Sequence, residues 1–363
     1  MTAQLRLVAP GPLASVQDFG RFGHRRFGVP QSGVLHPALA RVANVLAGNS
    51  AETALIEFFL VGPSFHLEKG QVRLALAGDF RAELTRNGVK RSIHAWRSIT
   101  LNAGDRLALG AVKSGKVGYV AVAGGLDLAE TMGSKATYLR GGFGGVDGKR
   151  LQSNMLLPLP GEGVVEGPER HFARPFKFDT LGLPKANAAA EPTCIRVILG
   201  PQEDYFTSAA LKDFLSGIYT VSRDSDRMGS RLDGPPLEHE PTKVPEIVSD
   251  GIVPGAIQVP GNGAPIVLLA DGPTVGGYPK IATVVSADLA KFSVLPPGSR
   301  IRFEAVCPEE AEDLLRNQRQ ELDRLLGTIE PLSLENGIDS RAIYEANLVS
   351  GAVDALLSGT QIP

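Results

Sequence analysis

The sequence predicts a mainly β protein with few helices and two core-sized units. It contains 42 glycines and 26 prolines against one tryptophan in 363 residues, a balance typical of short strands joined by tight turns. Apolar and polar residues alternate with a period of two in five runs, which indicates strands: 72–77, 106–109, 117–122, 195–199 and 301–305. A chain of this length exceeds one ordinary core, so we expect two domains.

Two helices are predicted within the β-rich region. The first begins at Pro37 after His36 and ends at Gly48, because proline favours the first helical turn and glycine favours the position just past the end. The second covers about residues 207–217, where apolar residues recur on one face. The remaining chain up to residue 307 has strand and turn patterns.

The chain is divided into four parts: a first half at 1–160, a connector at 161–192, a second half at 193–307 and a helical extension at 308–363. Six prolines fall between residues 158 and 192, which suits a connector. Pro308 followed by Glu309 and Glu310 predicts a helix start, because acidic side chains stabilise the positive end of the helix dipole. A second helix is expected at about residues 339–357.

Charge and hydropathy exclude several kinds of partner. The formal net charge is −2, so the chain has no excess of Lys and Arg with which to neutralise a nucleic-acid backbone. No run reaches the roughly 18 apolar residues of a membrane span, and the N-terminus lacks a signal-peptide core. We therefore expect a cytoplasmic protein without a membrane partner. Cys194 and Cys307 are far apart in a chain without Cys/His clusters, so no metal site is expected.

Residues 110–116 spell G-x-x-x-x-G-K, the beginning of a phosphate-binding loop. The next residue is Val117, which has no hydroxyl group for Mg²⁺. Strand patterns lie on both sides of the stretch, whereas a phosphate-binding loop is followed by a helix whose amides hold the phosphate. We therefore interpret these residues as a hairpin turn.

Two polar loops contain candidate ligand-binding residues. Gln17, Asp18 and Arg21 lie in a glycine-punctuated loop whose backbone can approach a ligand closely, and an Asp18–Arg21 ion pair that only braces the loop explains them equally well. Arg227 and Arg231 flank a glycine in the other loop, and guanidinium groups suit carboxylate or phosphate oxygens. The alternative for this pair is a structural ion-pair network with Asp224, Asp226 or Asp233.

The densest polar stretch lies between residues 255 and 281. Glycine and proline turns at the ends of an apolar strand hold five polar side chains: Gln258, Asn262, Thr274, Tyr278 and Lys280. Rigid turns of this kind suit a small-molecule site. Lys280 could stabilise a developing oxyanion, or act as an acid or base if burial lowers its pKa. The alternative is a tight hairpin whose lysine points into water.

Local signatures of several enzyme classes are absent from the sequence. It has no G-x-S-x-G elbow, no H-E-x-x-H motif and no dinucleotide fingerprint. Hydrolases and dehydrogenases that depend on these motifs are therefore disfavoured. The residues alone predict a two-unit β protein with a polar small-molecule site.

Seven segments in a fixed order add a family resemblance. They are 16–33, 41–49 (R-V-A-N-V-L-A-G-N), 55–57, 119–125 (Y-V-A-V-A-G-G), 133–137, 225–232 (S-D-R-M-G-S-R-L) and 255–285. Together they resemble the KipA family, whose members are also called 5-oxoprolinase C subunits, allophanate hydrolase subunit 2 or the biotin-dependent carboxyltransferase family. The likeness covers about residues 4–306.

The resemblance implies two cyclophilin-like β-barrel units with the site between them. It also implies ATP-dependent opening of the lactam 5-oxoproline to glutamate, in which phosphorylation activates the amide carbonyl before water attacks. The implied partners are a KipI-like B subunit and a LamB/YcsF-like A subunit, and ATP is held by the complex and not necessarily by this chain.

The resemblance and the polar loops together assign roles to ten residues. Three are expected to act in catalysis: Lys280, Tyr278 and Asn262. Seven are expected to bind the substrate: Gln17, Asp18, Arg21, Arg227, Arg231, Gln258 and Thr274. The residues of the first half are expected to close the site across a cleft shared by the two units.

Two other functions fit the same resemblance. A biotin-dependent carboxyltransferase would pass a carboxyl group to urea or a related small amide, and its biotin would arrive on another protein because this chain has no Met-Lys-Met segment. A regulatory binding protein would oppose a KipI-type kinase inhibitor. The chain departs from the family pattern at His36 and Asn154, where Asp is usual, and at Pro273, where Gln is usual, which leaves the exact substrate open.

Overall fold

Two β-sheets build the first half of the chain in the computed structural model, which describes residues 3–161, 165, 167–173, 181–183 and 191–332. The first sheet contains six strands in the order β11-β1-β4-β9-β6-β7: β1 (Gln4–Ala9), β4 (Ser64–Lys69), β6 (Arg81–Arg86), β7 (Val89–His94), β9 (Arg106–Leu109) and β11 (Met155–Leu156). The second contains seven in the order β2-β3-β10-β5-β8-β12-β22: β2 (Leu13–Gln17), β3 (Leu55–Phe59), β5 (Gln71–Asp79), β8 (Arg97–Asn102), β10 (Ser114–Val122), β12 (Arg170–Phe172) and β22 (Ile329–Pro331).

An apolar core fills the space between these two sheets. Leu5 and Phe65 contribute from the first sheet, and Ile56, Leu74 and Val120 contribute from the second. Side chains alternate between the faces of a strand, so the second sheet has another set of buried residues on its opposite face. That face packs towards the rest of the molecule.

A closed barrel of seven strands builds the second half. Its strands follow the order β13-β20-β17-β18-β15-β14-β21: β13 (Thr193–Leu199), β14 (Tyr219–Ser225), β15 (Gly229–Asp233), β17 (Ala256–Gln258), β18 (Ile266–Leu268), β20 (Lys280–Val284) and β21 (Arg300–Ala305). The parallel pairing of β21 with β13 closes the barrel. A short ribbon lies beside it, formed by the antiparallel strands β16 (Asp250–Gly251) and β19 (Val275–Gly276).

Four α-helices occur in the described ranges: α1 (Pro37–Ala47), α2 (Ser208–Ser216), α3 (Ser286–Ser293) and α4 (Pro308–Leu326). The predicted helices at 37 and 207 and the predicted start at Pro308 are confirmed, whereas α3 was not predicted. The helix expected at 339–357 lies outside the described residues. None of the described helices is long and apolar enough to cross a membrane.

The N-cap of α1 explains one departure from the family pattern. His36 precedes the helix, and its Nδ1 accepts a hydrogen bond of 3.3 Å from the backbone N–H of Leu39. Burial lowers the pKa of His36 to about 4, so the ring is uncharged at neutral pH and keeps a free lone pair. An uncharged histidine therefore accepts the N-cap hydrogen bond of α1, a role in which Ser, Thr, Asp and Asn are the usual residues.

The mainly β class is confirmed, but three details of the predicted organisation differ. Strands of the first half form two sheets, and only the second half closes into a barrel. β12, inside the predicted connector, and β22, inside the predicted helical extension, both join the second sheet of the first half. The hairpin interpretation of residues 110–116 is wrong, because β9 and β10, on either side of them, belong to different sheets. No helix follows this stretch, so a phosphate-binding loop is excluded as well.

One apolar cluster runs through both halves. It extends from α1 and the outer face of the second sheet to the interior of the barrel, with Leu39, Tyr119, Ile195 and Phe303 among its members. Two hydrogen bonds cross the same seam: the backbone N–H of Ser32 donates to the Ala270 carbonyl at 3.0 Å, and the Ser293 hydroxyl donates to the Leu35 carbonyl at 2.8 Å. The two units therefore share a core.

A buried arginine stands at the centre of this seam. Arg227 precedes β15, and its Nε donates to Asp271 at 2.9 Å while Nη1 donates to Glu57 of the first half. Its Nη2 donates to the Gly33 carbonyl at 2.5 Å and to Asp271 at 3.2 Å. Glu57 also accepts from the Tyr119 hydroxyl at 2.6 Å. Burial opposes the charge, but the carboxylates of Asp271 and Glu57 outweigh it and raise the pKa of Arg227.

Lys116 lies at the same seam without such partners. Its side chain is 5% exposed, and no hydrogen-bond acceptor for its Nζ is found among the described residues. Burial lowers the pKa of Lys116 from 10.5 to about 8, although the carboxylates of Glu57 and Asp226 act in the opposite direction. The fold therefore tolerates one poorly solvated ammonium group next to its main ion pairs.

Replacing Arg227 by Ala is expected to lower the free energy of unfolding by about 3–5 kcal/mol, because two buried carboxylates lose their counter-charge. Urea denaturation measures the change. The matched control is Arg231→Ala, four residues further on, where the side chain is exposed and an effect within about 0.5 kcal/mol is expected. Equal effects of the two substitutions would contradict the assignment of Arg227 to the seam.

Replacing Lys116 by Met is expected to raise the free energy of unfolding at pH 7 by up to about 3 kcal/mol. The reason is that each unit by which burial lowers the pKa of Lys116 corresponds to about 1.36 kcal/mol of lost stability, and Met carries no charge. The folded protein releases this proton near pH 8 and the unfolded chain near pH 10.5. The unfolded state therefore binds more protons between these values, and the stability of the unsubstituted protein rises with pH there.

Urea denaturation of both proteins from pH 7 to 10.5 checks this expectation, since the advantage of the Met variant should shrink over that range. Lys113→Met, at an exposed neighbouring position, serves as the control and should show no such trend. A difference that does not change with pH would count against the buried charge as its cause.

Candidate functional site

Three predicted residues lie in one row across the outer face of the barrel. Arg231 on β15 is the register partner of Ile266 on β18, Ile266 is the partner of Gln258 on β17, and Gln258 is the partner of Lys280 on β20. Val267 and Ile257, the neighbours of Ile266 and Gln258, point into the barrel core, so Ile266 and Gln258 lie on the opposite face. A register shift between Ile257 and Gln258 brings Lys280 opposite Gln258. Neighbouring strands are about 4.8 Å apart, which separates the backbones of Arg231 and Lys280 by roughly 14 Å.

A cavity of about 480 Å³ opens at the arginine end of this row. Ile266, Leu268 and Pro273 supply apolar surface, and the guanidinium groups of Arg223 and Arg231 lie at the wall. Neither guanidinium has a hydrogen bond or ion pair with any residue that the structure describes. The predicted network of Arg231 with Asp224, Asp226 or Asp233 is therefore not formed, and the charge of Arg231 is available to a ligand. Nothing in the sequence drew attention to Arg223.

The opposite end of the row is closed. Lys280 is 3% exposed, and its Nζ donates to Asp250 at 2.8 Å and to the Gly251 carbonyl at 3.5 Å. The hydrogen bond from Lys280 is the main cause that lowers the pKa of Asp250. The alternative of a lysine that points into water is wrong. Asp250 was missed by sequence reasoning, because a two-residue strand is too short to show periodicity.

Gln258, Tyr278 and Thr274 lie close to Lys280. The Gln258 amide donates to the Tyr278 carbonyl at 3.4 Å, and the Tyr278 side chain is exposed. Thr274 is buried, and its carbonyl accepts a hydrogen bond of 2.9 Å from Ile252. These contacts hold the chain between residues 274 and 280 over the row.

Asn262 lies apart from the row. It occupies an exposed turn after β17, and its side-chain oxygen accepts from the backbone N–H of Ala264 at 3.1 Å. This local hydrogen bond is typical of an Asx turn. The expected catalytic role of Asn262 stays a prediction without a contact in the structure to support it.

The residues predicted in the first half brace their own loop. Gln17 donates to Ser15 at 2.9 Å and to the Thr137 carbonyl at 3.2 Å. Asp18 accepts from the Ser134 hydroxyl at 2.7 Å and from the backbone N–H of Lys135 at 2.5 Å.

Arg21 completes this bracing. It is fully buried, donates to the Ala136 carbonyl and lies over the Phe143 ring at 4.9 Å from its centre. Neither the Asp18–Arg21 ion pair nor a contact with the cavity is formed among the residues described.

The shared cleft that the sequence predicted is therefore not seen at this cavity. All of its lining residues belong to the second half. The first half reaches the rim through Arg140, whose Nη1 lies 3.2 Å from the sulfur of Met228. Arg227 uses four of its five N–H groups at the seam. Only one N–H group therefore remains for the substrate-orienting role that was expected of it.

In the parts of the chain that the structure describes, no three His, Cys, Asp or Glu residues converge closely enough to hold a metal ion. The row instead combines two cations, an amide and an apolar centre. The open arginine end can bind a carboxylate, whereas the lysine end is covered by Asp250 and Gly251.

Comparisons with known proteins agree in one family. The family model described as carboxyltransferase domain, subdomain A and B, matches residues 27–305. The chain is 34% identical to the 5-oxoprolinase C subunit of Escherichia coli over 88% of this chain and 97% of that protein. It is 32% identical to the protein of the same name from Haemophilus influenzae, over 86% of this chain and 94% of the relative.

Solved structures show the same fold. The K. lactis urea amidolyase superposes with a TM-score of 0.77 at 29% identity and covers 89% of this chain, which in turn spans 20% of that much longer protein. The match of the family model over most of the chain, together with relatives of nearly equal length, settles the family. The chain belongs to the carboxyltransferase domain family, subdomains A and B, together with the bacterial 5-oxoprolinase C subunits.

Proposed function

We propose that this protein is the C subunit of an ATP-dependent 5-oxoprolinase complex, which opens the lactam of 5-oxoproline to give glutamate. Support comes from the relatives of that name, which the chain matches over nearly their whole length. The observation on which the proposal chiefly depends is the row that places Arg231, Gln258 and Lys280 on one face of the barrel. The cytoplasmic location expected from the sequence forms part of the same proposal.

The chemistry of the substrate fits this row. 5-Oxoproline has a carboxylate and a secondary amide joined by methylene groups. Arg231, with Arg223 beside it, binds the carboxylate through charge-assisted hydrogen bonds, and Ile266 packs against the methylene groups. The side-chain amide of Gln258 has a donor and an acceptor that can pair with the carbonyl and the N–H group of the lactam. The ammonium group of Lys280 stabilises the negative charge that gathers around the lactam oxygen as it takes up the phosphoryl group.

ATP supplies the activation that a stable lactam needs: its γ-phosphoryl group passes to the lactam oxygen and ADP leaves. Water then attacks the lactam carbon, the ring C–N bond breaks to give an acyl phosphate, and a second water releases phosphate and glutamate. Residues 110–116 do not fit the nucleotide, because Lys116 is buried in β10 and no helix follows to hold a phosphate. We therefore place ATP on the two partner chains, a KipI-like B subunit and a LamB/YcsF-like A subunit. The two bacterial relatives are named as C subunits, which supports an assembly of several chains.

A carboxyltransferase is the second candidate function. It is favoured by the description of the family model and by the urea amidolyase fold match. In that case a biotin attached to another protein would deliver the carboxyl group to urea or a related small amide, and Lys280 would stabilise the same kind of oxyanion. The 5-oxoprolinase proposal is preferred because its relatives have nearly the same length as this chain, whereas the chain spans only a fifth of the amidolyase.

Coexpression with the products of neighbouring genes separates these functions. Glutamate formation that needs ATP and both partner chains would support the 5-oxoprolinase. Biotin in a copurifying protein, with carboxylation of a small amide, would favour the carboxyltransferase. A stable complex with a KipI-like protein that turns over neither substrate would indicate regulatory binding, and would contradict both enzymatic proposals.

Replacing Lys280 by Met is expected to lower glutamate formation by the reconstituted complex about 100- to 1,000-fold, as the loss of one oxyanion-stabilising group does in other enzymes. The melting temperature should change by less than about 4 °C, since Met keeps the apolar stem and the lost ion pair has an exposed partner. ATP-dependent glutamate release and a thermal melt measure the two effects.

The control for this experiment is Lys212→Met on the exposed side of α2, which should keep full activity. Full activity of the Lys280 variant would remove the lysine from the mechanism. A large loss of stability together with activity would instead assign it a structural role.

A further inference from the structure

The ammonium group of Lys280 is covered by one short segment of the chain. Residues 243–253, called the strap from here on, include strand β16 and pass over the lysine. Asp250 and the Gly251 carbonyl of the strap are the acceptors of the Lys280 Nζ. With the strap in place the lysine is 3% exposed, so a substrate cannot reach its amine. A catalytic role for Lys280 therefore requires the strap to move.

Few contacts hold the strap down. Its β16 strand has only two residues, and two further backbone hydrogen bonds fix it, from Ile247 to the Gly277 carbonyl at 2.7 Å and from Ile252 to the Thr274 carbonyl at 2.9 Å. At its beginning, Lys243 pairs with Asp204 and lies over the Tyr205 ring. Val244 and Val248 point away from the barrel and are 71% and 94% exposed. Ile252 is 2% exposed and packs with Ala256 and Leu268, so it anchors one end of the strap. No residue from 243 to 251 is buried, and this part of the strap opens at low cost compared with global unfolding.

The strap also pairs with the chain segment that leads away from the cavity. Pro273 lines the cavity, and the next residues, from Thr274 to Gly276, form the strand that pairs with the strap. Beneath this ribbon lies the row that leads from Ile266 through Gln258 to Lys280. If the strap lifts away from β19, the Lys280 end of this row becomes accessible.

Asp250 is suited to hold the strap closed in a reversible way. Its carboxylate pairs with Lys280 on one side, while 56% of its side chain remains exposed on the other. An ion pair that water reaches is weak. A negatively charged or strongly polar substrate oxygen would offer the ammonium the same interaction and could replace the carboxylate.

We propose that the strap is a cover over Lys280, that Asp250 is the positioning residue that latches it, and that a substrate oxygen opens it by taking the place of the Asp250 carboxylate. The catalytic part of this inference rests on the proposed function. The cover itself does not, because access to the amine can be measured without turnover.

A disulfide across the ribbon tests the cover. Gly251 and Val275 are register partners in antiparallel strands, an added Cβ at Gly251 meets no atom within 4 Å, and Val275 is exposed. The double variant Gly251→Cys/Val275→Cys, made in a Cys194→Ser/Cys307→Ser background, should form a bond that locks the strap. Each single cysteine variant in the same background is the control.

Access to Lys280 is read by acetylation with acetic anhydride followed by peptide mass spectrometry. Locking should lower the labelling of Lys280 about tenfold, and dithiothreitol should restore it, because protection follows the opening of the strap. Asp250→Asn should raise the labelling, while labelling of exposed Lys212 stays constant in all proteins. Labelling of Lys280 that responds neither to the lock nor to Asp250→Asn would overturn the proposal.

The same variants in the reconstituted complex test the link to catalysis. The locked protein should lose glutamate formation and regain it on reduction, which a merely structural effect of the substitutions would not produce. Full turnover by the locked protein would show that opening is not needed. If no protein forms glutamate while the lock still protects Lys280, the proposed function fails and the cover stands.

Discussion

The buried charge cluster of Arg227, Glu57 and Asp271 is the constraint on which the arrangement of the two halves depends. Glu57 comes from the first half and Asp271 from the second, and Arg227 pairs with both. Without the arginine, two buried carboxylates would lose their counter-charge. Asp271 also begins the chain segment that leads to Pro273 at the cavity and to the ribbon over Lys280. The seam thus fixes the starting point of the segment that shapes the candidate site.

Much of the fold could be predicted because its signals are local. α1 has a proline at its start and a glycine at its end, and the alternation in β5 and β10 indicates strands without knowledge of their partners. α3 was missed because its eight residues, S-A-D-L-A-K-F-S, have only one turn of apolar character. Closure of the second half and the open sheets of the first depend on which strands pair over long distances, and a single sequence does not reveal such pairings.

The candidate site was predicted only in part, because its assembly also depends on long-range strand pairing. The sequence around Arg227 and Arg231 does not distinguish their roles, since both flank the same glycine. In the structure Arg227 precedes β15 and points into the seam, whereas Arg231 lies on the outer face of β15. The chemistry of Gln258 and Lys280 was predicted from their residue types, and their alignment with Arg231 came only from strand register. Asp18 and Arg21 have the composition of a ligand loop, but Asp18 and Nη2 of Arg21 bond to residues 134–136, while Nε and Nη1 of Arg21 are buried without a partner among the described residues.

Strand β22 has a consequence for how the chain is made. It pairs with β12 and is the last strand of a sheet whose other members all precede residue 173. The barrel residues are therefore inserted between two neighbouring strands of the first half. During synthesis the ribosome must release more than 150 further residues before the free edge of β12 receives its partner, so that edge stays unpaired while the barrel forms beside it.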